Sequence, residues 1–152
     1  MTLPASFPLS MSQIAAELNR SLPLSLLDQW VQYLANSAPP ISMSQLLGKT
    51  GRFDGNRIGQ TAGGLYIDLS GQPFFNGTLT TLQVDLSGGG TQLTCGPNSS
   101  WPGNVLVRNN TTGVQLVLNK IFNVPAVWNS SSNPVNLIRN GITDNFTIVP
   151  TN

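Results

Sequence analysis

Three segments within the first 50 residues share one form: Pro, an apolar residue, Ser, an apolar residue, any residue, then Gln or Asp. They are Pro8-Leu9-Ser10-Met11-Ser12-Gln13, Pro23-Leu24-Ser25-Leu26-Leu27-Asp28 and Pro40-Ile41-Ser42-Met43-Ser44-Gln45. The chemistry of this form is that of a helix start. A Ser at the N-cap accepts a hydrogen bond from a backbone N–H that has no partner inside the helix. The residue three positions later reaches back to the N-cap amide, better as Gln than as the shorter Asp. Pro two positions ahead of the Ser keeps the entering chain extended and prevents an earlier start. Leu9 with Ile14, and Ile41 with Leu46, add a hydrophobic staple. Three short helices are therefore predicted, over 11–19, 26–36 and 43–47.

Each predicted helix is apolar on one side. Met11, Ile14, Ala15 and Leu18 share a face of the first, and Leu27, Trp30, Val31 and Leu34 a face of the second. The third is one turn, stopped by Gly48. Helices of this length are not stable alone, so they must pack on each other, on the rest of the chain or on a partner. Met11, Ile14, Leu18, Trp30, Met43 and Leu46 are the candidate assembly contacts. For Trp30 the competing expectation is burial in the core, the usual fate of a large aromatic.

Near residue 50 the sequence changes character. Gly, Asn, Thr and Val then dominate, in short alternating runs. The clearest predicted strands are Gly64–Leu69, Leu79–Leu86, Gln92–Cys95, Asn104–Arg108, Val114–Asn119 and Asn145–Val149. Val105/Val107 and Val114/Leu116/Leu118 alternate as half-buried strands do. Asn109 to Gly113 reads as a hairpin loop, with Gly113 taking a positive φ. Gly88-Gly89-Gly90 reads as a flexible turn, and Arg52, Asp54 and Arg57 as a solvated or interfacial loop. The expected fold class is α+β: a helical docking or assembly segment over 1–50, then an antiparallel β-sandwich over 51–152.

Chemistry is thin along the chain. There is no histidine and one cysteine, Cys95. That excludes Ser-His-Asp and Cys-His catalysis within the chain, Cys/His zinc sites and an intrachain disulfide. The six carboxylates, Glu17, Asp28, Asp54, Asp68, Asp85 and Asp144, are spread apart. Asp68 and Asp85, both on predicted strands, are the one conceivable glycosidase-like pair; each reads more simply as an outward polar residue. No calcium-loop spacing occurs. Seven basic residues face six acidic ones without clustering, which argues against nucleic acid as a main partner. No stretch is long and apolar enough for a membrane span, and the first 13 residues lack the basic start of a signal peptide. The expectation is a non-enzyme without metal or cofactor. Trp101 and Trp128 are expected in Asn/Ser-rich loops. They are candidate sugar-stacking residues, set against the simpler reading that they cap the ends of the core.

The run Ile41-Ser42-Met43-Ser44-Gln45-Leu46-Leu47-Gly48-Lys49-Thr50 resembles the "ISMSDLxGK" runs of tailed-bacteriophage tail, baseplate and tail-fibre proteins. Gln45 stands where those runs carry an acidic residue. The stretch Leu22–Val31 is similar to the segment that precedes them. Thr112–Lys120 and Asn136–Ile148 resemble β-sandwich ends of similar small phage proteins. The resemblance implies a structural virion component made in the host cytoplasm, joined to other virion proteins and present in several copies; the expected assembly is a homo-oligomer of closed cyclic symmetry, taken as a trimer. Alternatives are a capsid decoration protein, or a receptor- or carbohydrate-binding module contacting a host-surface glycan at the tail tip.

Overall fold

The computed structural model describes residues 2–85, 87 and 89–152. Leu86, expected to end a strand, and Gly88 of the expected glycine turn lie outside the described residues.

Helix α1 spans Met11–Glu17, helix α2 Gln29–Ala35, and a 3-10 turn covers Met43–Leu46. The first and third starts follow the capping rule. Ser10 N donates to Gln13 Oε1 and Ser42 N to Gln45 Oε1, each at 2.8 Å. The second start differs from expectation. Ser25 Oγ only holds a local turn, accepting from Leu27 N, and Asp28 is itself the cap, accepting from Trp30 N at 2.8 Å. A carboxylate one methylene shorter than Glu suits the cap position better than the reach-back position. Helix α1 also stops short of its predicted end. Asn19 and Asn36, which follow the two helices, take positive φ of 54° and 55°, a conformation Asn tolerates where helices end.

The strands are β1 (Phe53–Ile58), β2 (Gln60–Thr61), β3 (Leu65–Phe74), β4 (Gly77–Asp85), β5 (Gly90–Gly96), β6 (Asn104–Asn109), β7 (Gln115–Asn123), β8 (Ala126–Ser130) and β9 (Thr143–Thr151). All six predicted strands are present, β1, β2 and β8 in addition. The expected loop around Arg52 and Arg57 is largely β1. Gly113 has φ 77° in the β6–β7 hairpin, as its position requires.

The strand order among the described residues is β1-β9-β6-β7-β8-β5-β4-β3-β2, with every ladder antiparallel. Two stretches turn what the sequence suggests as two layers into one curled sheet. In β7, residues 115–118 pair with β6, whereas 119–123 pair with β8, with a register shift between Lys120 and Phe122. Across 53–61, β1 pairs with β9 and β2 with β3 on the far end of the order. Strands that change partners this way make corners. The chain is thus mainly antiparallel β, a nine-strand, nearly closed, barrel-like sheet with two short helices, and not a plain α+β sandwich.

One core runs from the helices into the sheet. Ile14, Leu18, Val31, Leu34 and Leu46 are fully buried in the same cluster as Ile67, Leu82, Leu93, Val107 and Ile148. Backbone bonds tie the segments together: Leu3 N to Lys49 O, Gly48 N to Pro4 O and Phe75 N to Thr50 O, at 2.7–2.9 Å. Glu17 Oε1 accepts from Gly51 N at 2.7 Å and Arg52 N at 3.1 Å, fixing the end of α1 to the start of the β body.

Candidate functional site

The six candidate assembly residues lie inside or against this chain's own core. Ile14, Leu18 and Leu46 are fully buried, while Met11, Met43 and Trp30 are half-buried against it. Trp30 meets the edge of Trp101 with ring centroids 4.6 Å apart. Trp101 also contacts Tyr33 and Phe75, and Phe75 leads through Phe74 to Trp128. This aromatic chain joins α2 to β8. Trp101 is 2% exposed and donates Nε1–H to Asn104 O at 2.7 Å; Trp128 is 0% exposed and donates to Gly103 O at 2.9 Å. Neither ring presents a face to solvent on which a sugar would stack.

The carboxylates are held locally. Asp68 accepts from Ser70 N, and Asp85 accepts from Ser87 N and Oγ. These bonds hold both carboxyls below the usual range. Cys95 is buried, and desolvation pushes its thiol up to about 11, far from a neutral-pH thiolate. Among the described residues no three Asp, Glu, Cys or His side chains gather as a metal would require, and no helix is long and apolar enough to cross a membrane. Burial pushes the Glu17 carboxyl up, against the lowering effect of the Gly51 amide. Its Oε2 is buried without a hydrogen-bond partner.

Two surface features stand out from this background. The first is a groove of about 580 Å³ between the β8–β9 connection and the ends of β3 and β4. The connection carries no periodicity, and bonds to distant parts of the chain shape it. Thr91 Oγ1 donates to Ser132 O, Thr112 Oγ1 to Asn136 O, and Asn109 Nδ2 to Leu137 O. Leu137 and Ile138 are buried anchors. Arg139 lies side-on to Asp144 through Nε and Nη2, and Asn109 adds a third bond to that carboxylate. With Arg139 as the main cause, Asp144 is held below the usual carboxylate range. The connection closes on the corner at Gly59, where Gly59 N donates to Ile142 O and Gly141 N to Gly59 O. Gly59 is required there, since a Cβ would lie 2.2 Å from Arg139 O. Leu65, Val84, Ile138 and Ile142 give the groove apolar walls, and Asp85, Asn133 and Arg139 give it polar groups.

The second feature is an uncharged apolar strip on the outside of the barrel. Leu106 of β6 pairs with Val117 of β7, so both point outward together. Further along β7 and its turn come Ile121, Phe122 (63% exposed) and Val124 (75% exposed). The cation of this strand, Lys120, is turned inward to the carbonyls of Ser99 and Trp101 and lies 5.3 Å from the Trp128 ring. The strip itself therefore carries no charge; the exposed Arg108, next on the outer face of β6, borders it beside Leu106, and Asn119 is its one polar residue between Val117 and Ile121.

Sequence reasoning missed both features. The Asn133-Pro134 pair is a turn signal that marks the connection, but nothing in the sequence places Asp85 beside it. The run Ile121-Phe122-Asn123-Val124 is legible as apolar, though its exposure follows only from the β7 corner. Comparison with known protein-family models, curated proteins and solved structures finds no match.

Proposed function

We propose that this chain is a non-enzymatic assembly protein, a structural component of a tailed-phage virion belonging to the tail, baseplate or tail fibre. It works through protein–protein contacts and associates with copies of itself in closed cyclic symmetry, read here as a trimer. The observation that carries the reading is the uncharged strip from Leu106 and Val117 to Phe122 and Val124. Exposed apolar side chains grouped on one surface mark interaction sites in folded proteins. The virion setting rests on the resemblance around Ile41–Thr50. Ile41, Leu46 and Thr50 of that run are buried in this chain's own core, while Ser42, Ser44 and Gln45 are exposed, and we take the strip as the assembly surface.

Two measurements test this. Light scattering after size exclusion should give a closed oligomer for the native chain and a monomer for Phe122→Ser; a native chain monomeric at every concentration sinks the self-association. Purified particles should contain the protein, in a small number of copies for a tail component. Hundreds of copies would move it to the capsid surface as a decoration protein, and its absence from particles would end the virion reading.

A further inference from the structure

A closed ring of three copies cannot be built from one patch meeting itself. A self-complementary contact closes at two, and a larger ring needs two different surfaces that fit each other. With the strip as one of these, the other lies elsewhere on the same chain. We propose that it is the outer edge of the groove at the β8–β9 connection, so that the strip of one copy seats on the groove of the next. This rests on the self-association proposed above and names the surface it uses. Two observations single out that edge. The first is apolar exposure. Apart from the strip and the helical end, the large hydrophobic side chains left in solvent are Ile58, Val135 and Ile142. Val135 and Ile142 line the groove, and Ile58 pairs with Thr143, the neighbour of Ile142.

The second observation is charge. Among the described residues, Arg108 is the one cation whose side chain has no hydrogen bond, ion pair or ring contact. The others are engaged by an acid (Arg20, Arg52, Arg139), by backbone carbonyls (Arg57, Lys120) or by Asn76 (Lys49). Asp85 is the one carboxylate with no cation against it. It stands at the surface in the β4–β5 turn, at the edge of the groove, held by Ser87 N and Oγ. Each of the other carboxylates has an arginine acting on it. The unpaired base thus borders the strip and the unpaired acid borders the groove, the complementarity that fixes register between partners. Strands β6 and β4, which carry them, stand four places apart in the strand order, so one copy can use both surfaces at once.

The test is charge reversal in the full chain, read by sedimentation velocity and light scattering at low salt, where surface charges are least screened. The native chain should form a closed oligomer of more than two copies. Arg108→Glu and Asp85→Arg should each raise its dissociation constant at least about tenfold, because reversal sets like charges together. The two combined should restore association, a result that a merely misfolded variant cannot give. Val135→Ser should weaken association as well. Val135 is 81% exposed, so this variant folds and tests the groove edge even if Asp85→Arg disturbs its turn. An oligomer that Phe122→Ser dissociates but that these variants leave unmoved overturns the inference and leaves the strip as the assembly surface. Failure of the double reversal to restore association, or a closed dimer, also overturns it. A native chain monomeric at every concentration removes the self-association itself, and this inference with it.

Discussion

The helical end of the molecule and the β7–β8 turn are both rich in apolar side chains, yet they meet opposite fates. At the helical end most of the stripes are used up inside the chain: Ile14, Leu18, Val31, Leu34 and Leu46 are fully buried, although Leu27, expected on the second helix's apolar face, lies ahead of α2 and is exposed, as are Phe7 and Leu22. At the turn, Ile121, Phe122 and Val124 stay in solvent. An amphipathic helix too short to stand alone signals that it needs a partner, but not whose. Here the β body is the partner. The surface left for other molecules arises where a strand changes partners and its outer residues have nothing of their own chain to cover them.

That contrast is open to attack at both ends. The largest effect should come from removing residues 1–50. The β body alone would expose a continuous core, and we expect loss of the cooperative unfolding transition in circular dichroism; a fragment that melts cooperatively would show that the two parts are separable. Next, Trp101→Ala should cost about 4 kcal/mol in urea unfolding, because a buried indole bridging α2 and Phe75 leaves a cavity.

Asp144→Asn should cost about 2 kcal/mol by weakening buried hydrogen bonds from Asn109 and Arg139. Asp144 has a lowered folded-state pKa. Its contribution is therefore present above the ordinary Asp value and lost as pH falls through the folded one. The difference between native and variant stability should shrink in acid. A smaller effect, opposite in sign with pH, is expected at Glu17, whose pKa is raised by burial. The native chain should be favoured relative to Glu17→Gln at low pH. That advantage should fade as pH rises through the raised value, because ionising a desolvated carboxyl is disfavoured. Parallel urea midpoints across that range check it. Smallest of all, Phe122→Ser should shift monomer stability by no more than about 0.5 kcal/mol, as at other exposed sites, while abolishing self-association.

The legible parts of the fold are those written in local chemistry. Ser10 with Gln13, Ser42 with Gln45, the alternation of Val105/Val107 and the Gly113 turn needed only their neighbours in sequence. What was hidden depends on distant ones. Phe53–Ile58 carries Asp54, Gly55 and Asn56, poor strand formers, and becomes β1 because β9 offers it a ladder. Ala126–Ser130 is short, follows Pro125 and holds Trp128-Asn129, so it reads as loop until β5 and β7 flank it. The groove was least visible, since Asn133 and Asp85 lie 48 residues apart and meet only through the β8–β9 connection.

The corner at 53–61 joins the two ends of the strand order but leaves a slit, because β1 and the rest of β3 share no ladder. Arg57 spans it, its Nε donating to Asp68 O at 3.0 Å. A cut edge is where a foreign strand would add and seed fibre growth. A guanidinium across that edge acts as a gatekeeper, denying an incoming backbone one of the carbonyls it would use. It also makes the slit the line along which the barrel would first part under mechanical load, since one side chain yields before a row of backbone bonds does.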